Sequence, residues 1–329
     1  MAELLQKNKN YTFSIESLCG NGNGVAKHDG LVVFIPNTAP GDRVEARIIK
    51  VAKGYAVGKV VSILSPSAVR TPSGCAVSER CGGCCFRHIT YEAECDVKRA
   101  MINDAFEHIA HLPLRVSHFI AAENPTRYRN KVIYPVGTDA DGKLIAGFYA
   151  PSSHRITPHE DCLIGKEIFC KVKDAVLSIC AEQKVTAYDE LNGSGTLRGI
   201  YMRMGAEESV LLTLIVNGET LGKTAEKALC EKLPQDFPSL CGIVLNVNQK
   251  AGNGVLGDRF RTLWGRDSLD EVLCGKRFRV SPDAFFQVNA EQTEKLYETA
   301  RSFAAVREND TLFDLYCGTG TIGIILAEE

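Results

Sequence analysis

Between Tyr11 and Leu64 the chain alternates apolar and polar residues in short runs, each stopped by Gly, Asn or Pro. The runs YTFSIES and DRVEARI alternate apolar and polar residues, a period that strands satisfy and helices do not, and GLVVFIP and YAVGKVVSIL are rich in β-branched residues. GNGNG and PNTAPGD separate them. Short strands punctuated in this way are the pattern of a small closed β-barrel of about five strands. Its last strand ends at Ser65-Pro66, and the joint SPSAVRTPSG marks a domain boundary, giving residues 1–66 as the first domain.

With 329 residues, 45% of them hydrophobic, the chain has material for two or three cores. The opening MAELLQKNKNYTF has no apolar leader, and no run of about 18 uncharged apolar residues occurs, so a cytoplasmic protein without membrane segments is expected. Thirteen cysteines in a reducing compartment do not form a disulfide framework. Scattered ones such as Cys19, Cys180, Cys230, Cys241 and Cys274 read as small buried apolar side chains. The net charge of −2 argues neither for nor against a polyanionic partner, but residues 1–70 carry nine basic against five acidic side chains, a local positive bias.

The middle reads as α+β. A helix of about five turns is predicted from Tyr91 toward Pro113, and RYRNKVIYPVGTDADGKLIAGFYA reads as a hairpin turning at Asp139 to Gly142. KEIFCKVKDAVLSICAEQ and TAEKALCEKLPQDF are helical, and LRGIYMRMGAEESVLLTLIVNG is a strand pair. Near the end EQTEKLYETARSFAAV is a helix, followed by DTLFDLYCGTGTIGIILAEE as strand, glycine turn and helix start. A single βα unit cannot cover a parallel sheet on both faces, so the chain is expected to be a fragment cut inside its last domain.

Three segments carry chemistry. GCAVSERCGGCCFRH places Cys75, Cys81 and Cys84 in a loop able to bring three thiolates to one centre. Zinc could take these with His88, and an iron–sulfur cluster would need a fourth thiolate, for which Cys162 in HEDCLIG is a distant candidate, with Cys170 as a rival and Cys85 as an extra thiol. The run LFDLYCGTGTIG sets Gly318, Gly320 and Gly323 in a G-x-G-x-x-G frame behind Asp314, a cradle for a cofactor that needs close backbone approach. Upstream, AFFQVNAEQ offers Phe285, Gln287 and Asn289 at a helix entry.

F-x-Q-V-N followed by a helix and then D-L-Y-C-G-x-G resembles the RNA uracil-5-methyltransferase family, and GNGNGVAKHDGLVVFIPNTAPGDRVEARI resembles the TRAM domain appended to RNA-modifying enzymes. RYRNKV is similar to the family's central-domain segment, and C-x5-C-G-G-C is similar to that of members holding a [4Fe-4S] cluster. The resemblance covers essentially the whole chain. It implies an α/β multidomain protein: an OB-like TRAM barrel over 1–66, an α+β central domain with an iron–sulfur loop over 67–278, and the start of a class I Rossmann-like methyltransferase domain over 279–329.

The implied cofactors are S-adenosyl-L-methionine, held by Gln287, Tyr316 and Gly318, and a [4Fe-4S] cluster on Cys75, Cys81, Cys84 and Cys162. Arg127, Arg129, Lys131 and Phe285 are the implied RNA contacts, and the implied partner is RNA, 23S ribosomal RNA by preference, bound by a monomer. The reaction is methylation of uridine C5 through a cysteine adduct at C6. The family's nucleophile lies in a D-P-P-R-x-G-C-like segment that these 329 residues lack. The nucleophilic cysteine and the base are therefore expected beyond Glu329, no catalytic residue is assigned within the chain, and the fragment alone is expected to be inactive. A non-catalytic RNA-binding iron–sulfur module and a transfer-RNA enzyme are the alternatives.

Overall fold

The computed structural model describes residues 4–252, 254–307 and 309–327, and the chain divides into two compact units, residues 1–121 and 122–329. In the first, β1 (Asn10–Ser14), β2 (Ser17–Leu18), β3 (Gly24–His28), β4 (Leu31–Ile35), β5 (Arg43–Val51) and β6 (Tyr55–Ser65) form one sheet in the order β1-β5-β6-β4-β3-β2. Neighbours are antiparallel except β4 and β6, where Val32 lies opposite Tyr55. Three register shifts between β5 and β6 let this long ribbon bend around the core. The alternation read from the sequence is the burial pattern: Val44, Ala46 and Ile48 of β5 point inward with Phe13, Val33, Ile35 and Ala56, while Arg43 and Arg47 point out.

Asp42 joins the barrel to the joint after β6. Its carboxylate is buried and accepts from the Ala39 amide at 2.6 Å, the Ser67 amide at 2.8 Å and the Arg70 guanidinium at 2.7 to 3.0 Å. Burial alone would push this carboxyl up; the hydrogen bonds from Arg70, Ala39 and Ser67 outweigh it and hold it below its ordinary value. Beyond the joint, Ile89, Val97, Leu18 and Ala39 form a small second core that seats α1 (Tyr91–Asp104) beside the barrel. Thr90 caps this helix by accepting from the Ala93 amide, and a π-helical turn over Ala105–Ile109 completes the helical run toward Pro113.

The second unit is built on a seven-stranded sheet. Its elements are β7 (Lys131–Thr138), β8 (Leu144–Tyr149), β9 (Ile156–Pro158), α2 (Glu167–Glu182), β10 (Leu197–Met204), β11 (Val210–Val216), α3 (Lys223–Asp236), β12 (Leu240–Val247) and β13 (Arg259–Gly265). The hairpin β14 (Leu269–Leu273) and β15 (Lys276–Val280) follows, then α4 (Ala290–Ala304) and α5 (Thr321–Leu326). Strand order is β13-β12-β11-β10-β7-β8-β9, with only β11 and β12 parallel. The predicted hairpin, the strand pair and the three long helices stand where expected; β12 and β13 and the β14–β15 hairpin are additions.

Every residue of β11, VLLTLIV, is buried because its two faces meet different partners. Val210, Leu212, Leu214 and Val216 pack with Phe169, Val176, Leu229 and Leu233 of α2 and α3. Leu211, on the opposite face, packs with Val244, Leu269, Leu273, Val280, Phe286, Tyr297 and Ile325. One strand thus holds the helical layer on one side and the segment running from β14 to α5 on the other.

The strand expected at 311–316 is not formed: these residues enter no ladder, and only the helix start that follows them is regular. A parallel strand is fixed by its neighbours' backbone groups, and no segment among the described residues pairs with this one. The expected boundaries at 66 and 278 fall inside the first unit and inside β15, respectively. Glu329, the last residue of the expected third domain, lies outside the described residues. No helix among the described residues is long and apolar enough to cross a membrane.

Removing one partner of a buried ion pair leaves the other uncompensated. Asp42→Ala is therefore expected to destabilise the barrel by about 3 kcal/mol, measured as faster amide exchange across β5. Since the folded carboxyl sits below its ordinary value of 3.8, its stabilisation is present above that pH and is lost as pH falls through the lower folded value. Asp42→Asn should remove this acid limb from the exchange profile.

Candidate functional site

Two segments distant in sequence, at Arg129–Asn130 and Val288–Asn289, are joined edge to edge in the second unit. The Asn130 amide donates to the Val288 carbonyl at 2.9 Å, and Arg129 bridges antiparallel to Asn289. Asn289 then caps α4, accepting from the Gln292 amide at 3.2 Å, which turns the chain out of the bridge and into the helix. Phe286 goes inward to the core, so Phe285 points out and is 65% exposed. The Lys131 ammonium lies 6.0 Å from the centroid of its ring. Burial, then the charges of Arg203 and Arg129, lowers the Lys131 pKa from its usual value. Gln287 is half-buried one step further along, its carbonyl accepting from Asn130 Nδ2 at 3.2 Å.

The glycine turn is attached to the same segment. Thr319 Oγ1 donates to the Phe285 carbonyl at 3.1 Å, and the Tyr297 and Thr321 hydroxyls meet at 2.9 Å where α4 passes the start of α5. Gly318 and Gly320 have φ of 55° and 72°, left-handed values that favour glycine, and Tyr316 shares that region while standing fully exposed. Asp314 accepts from the Gly323 amide at 2.8 Å; a Cβ on residue 323 would come within 2.9 Å of that carboxylate. Any larger residue at position 323 would have to displace that carboxylate. Cys317 is exposed within the turn. The nucleophilic cysteine and the base, expected beyond Glu329, have no counterpart to place here, since Glu329 itself lies outside the described residues.

Beneath Phe285 and Gln287 lies a polar nest that the sequence did not announce. Arg203 of β10 and Glu271 of β14 are 1% and 4% exposed, on the sheet face that carries Leu211. Arg203 Nη2 donates to the Ala284 carbonyl at 2.8 Å and the Tyr201 hydroxyl at 3.0 Å, and Asn130 Nδ2 donates to Glu271 Oε1 at 3.3 Å. Burial pushes the Glu271 carboxyl up to about 7, against the opposing pull of the Arg203 charge. In LDEVL this glutamate reads as an ordinary polar position; only the hairpin's packing turns it inward with Leu269 and Leu273.

The Arg127 guanidinium is engaged within the protein. Its guanidinium makes two 2.7 Å bonds to Asp161 and reaches the Cys162 carbonyl at 2.8 Å and that of Gly165 at 3.2 Å. The Arg127 and Arg129 amides donate to the Leu163 and Ile164 carbonyls. The HEDCLIG loop is thus strapped to the strand entry, and Cys162 is half-buried within it. Cys170 is buried, its thiol 3.6 Å from the Tyr134 hydroxyl.

In the first unit, Cys75, Cys81 and Cys84 are half-buried on one turn-rich loop, and Cys85 beside them is exposed. The Gly83 amide donates to Cys81 Sγ at 3.3 Å, and the Gly22 backbone packs so closely against Cys85 that a Cβ there would lie 2.4 Å from its carbonyl oxygen. His88 is turned away to the barrel, its Nε2 2.8 Å from the Thr38 carbonyl. Burial lowers its pKa, with the Thr38 contact opposing. Among the described residues no three or more His, Cys, Asp or Glu side chains are gathered as a metal-holding group.

Residues 5–61 match the model of the TRAM domain. Over 99% of this chain, an uncharacterized RNA methyltransferase of Halalkalibacterium halodurans is 38% identical, the match covering 71% of that protein. One from Listeria monocytogenes is 38% identical over the full chain and 72% of its own length, and one from Staphylococcus aureus 34% over 99% and 72%. In three dimensions the chain is similar to the crystal structure of Pyrococcus abyssi tRNA (uracil-54, C5)-methyltransferase in complex with S-adenosyl-L-homocysteine, with a TM-score of 0.71 at 23% identity, over 96% of this chain and 70% of that one. That likeness is one of fold. With a TRAM domain at its start and relatives of this identity and coverage, the chain belongs to the RNA methyltransferase family.

Proposed function

We propose that the chain carries the RNA-binding part and the entrance to the cofactor site of an S-adenosylmethionine-dependent RNA uracil-5-methyltransferase, acting on a uridine of 23S ribosomal RNA in the cytoplasm as a monomer. The observation that carries this reading is the junction of three motifs: RYRNK paired to FFQVN, and FFQVN tied to the glycine turn through Thr319 and Phe285. An exposed ring beside a lysine suits an unstacked pyrimidine, and a target base must leave its stack to be methylated. The Pyrococcus protein of the same fold is a tRNA uracil methyltransferase bound to S-adenosyl-L-homocysteine, which supports the class of reaction. Residues 1–66 are assigned as the RNA-contacting TRAM barrel, 67–278 as the central domain and 279–329 as the first part of the methyltransferase domain.

Gln287, Tyr316 and Gly318 are assigned to hold the cofactor, which supplies an electrophilic methyl group when bound. Uracil C5 becomes nucleophilic only after a thiolate adds at C6. The resemblance assigns that thiolate, and the base that follows it, to a segment not found in the residues up to Glu329, and Cys317 belongs to the cofactor turn. The contribution of this chain is to bind RNA through Arg129, Lys131 and the basic barrel, to hold the base against Phe285 and to shape the cofactor's edge. Arg127 acts there through the loop it straps.

The reading of an iron–sulfur cluster rests on donor type: Cys75, Cys81 and Cys84 are three thiols on one loop, and the Gly83 amide donates to the Cys81 sulfur. Cys162 is the fourth ligand that the resemblance names. No step of the proposed reaction runs through the cluster.

Anaerobic purification should yield about four iron and four sulfide per chain with a broad visible absorption, and Cys81→Ser should lose both; stoichiometric zinc without iron would overturn the cluster. Lys131→Ala should weaken binding of uridine-bearing 23S fragments across sequences and lower the salt slope by about one. Equal or tighter binding of transfer RNA by the wild type would move the substrate to that class. Residues 1–329 alone should incorporate no methyl group into either RNA, measured with labelled cofactor.

A further inference from the structure

Phe285 and Gln287 lie on a short segment that belongs to no helix or strand, between the end of β15 and the cap of α4. Such a segment has no ladder of its own to fix it, so its geometry depends on what holds its carbonyls. Three of them, on Ala284, Gln287 and Val288, accept from only two residues: Arg203 Nη2 at 2.8 Å, Asn130 Nδ2 at 3.2 Å and the Asn130 amide at 2.9 Å. Both donors come from beneath, from the sheet face, and neither is exposed.

Glu271 closes the arrangement. Asn130 Nδ2 reaches Glu271 Oε1 as well as the Gln287 carbonyl, so the glutamate decides which way the asparagine amide faces. The glutamate itself is carried by β14, whose neighbour Asp270 presents its carbonyl so close to Gly205 that any Cβ there would lie 2.3 Å from it. Hairpin and sheet are therefore in backbone contact, and Glu271 has little freedom to withdraw. Asn130 Oδ1 and Arg203 Nη1 are buried without a protein hydrogen-bond partner.

We propose that Asn130, Arg203 and Glu271 are positioning residues that set the Phe285–Gln287 segment, and through it the grip on an unstacked uracil. They touch neither base nor cofactor; they fix the backbone that presents the two side chains that do. The inference rests on the assignment of Phe285 as the base-stacking residue. It adds an asparagine, an arginine and a glutamate drawn from β10, β14 and the residue before β7, none of which belongs to the F-x-Q-V-N motif.

The test uses the whole chain and a short single-stranded oligoribonucleotide with one 5-fluorouridine, observed by fluorine NMR, where stacking of the base on an aromatic ring displaces the resonance. Wild type should displace it, and Phe285→Ala should abolish the displacement. Glu271→Gln keeps a neutral acceptor in the same place and should behave as wild type. Asn130→Asp, isosteric but without the amide donor, should lose the displacement and about tenfold in affinity, while its melting temperature stays near that of Glu271→Gln. Glu271→Leu, which fills the space without an acceptor, is read in the same way should Asn130→Asp lose its fold. A displacement that depends on Phe285 but survives in the folded Asn130 and Glu271→Leu variants overturns the proposal alone. A resonance indifferent to Phe285→Ala overturns the assignment of Phe285 and the proposal with it.

Discussion

The backbone pairing of residues 129–130 with 288–289 is the contact on which the site depends. Residues 127–131 enter β7 at the middle of the sheet, and 284–289 arrive after a hairpin and a reversal; nothing local in either stretch would bring them together. Once paired, they place a cation and an exposed ring side by side, start α4 in a fixed direction and set the glycine turn against the Phe285 carbonyl. The energy behind the pairing is not in its hydrogen bonds, each worth about 1 kcal/mol net. It comes from the apolar face under them, where Leu211, Leu269, Leu273, Phe286 and Tyr297 are all excluded from water.

The same logic separates the roles of the basic residues in RYRNK. Successive side chains of an extended segment point to opposite sides, so residues 127, 129 and 131 would share one face if the segment were extended throughout. Lys131 faces the ring of Phe285, whereas Arg127, at a left-handed φ of 54°, turns back to bond Asp161 and two carbonyls of the Cys162 loop. An arginine whose fork is already filled by a carboxylate adds rigidity rather than charge to a nucleic-acid surface. The loop that presents Cys162 is accordingly fixed from the segment that leads into Lys131 and β7.

Much of this was legible in the sequence where a residue's neighbours in space are its neighbours along the chain. Alternation in RVEARIIKV gave the barrel strand, the turn at Asp139 to Gly142 gave its hairpin, and Asn289 before AEQTEKLY gave a helix start. The motif frames led to Phe285, Gln287 and Gly318 without any coordinates. Legibility stopped at contacts made across the sheet. Glu271 in LDEVL and Arg203 in IYMRM look like solvent-facing charges, and they become buried only because β14 folds over β10. The segment at 311–316 failed in the opposite sense: its apolar composition is that of a strand, but a strand also needs a neighbour to pair with.

A strand buried on both faces has a consequence for how this chain can be divided. The helical layer of the second unit and the segment leading to the glycine turn share β11 as a common wall, Leu212 and Leu214 serving the first and Leu211 the second. Cutting after β13 would bare a greasy flank on the remaining sheet, so the central region is not an independently separable module.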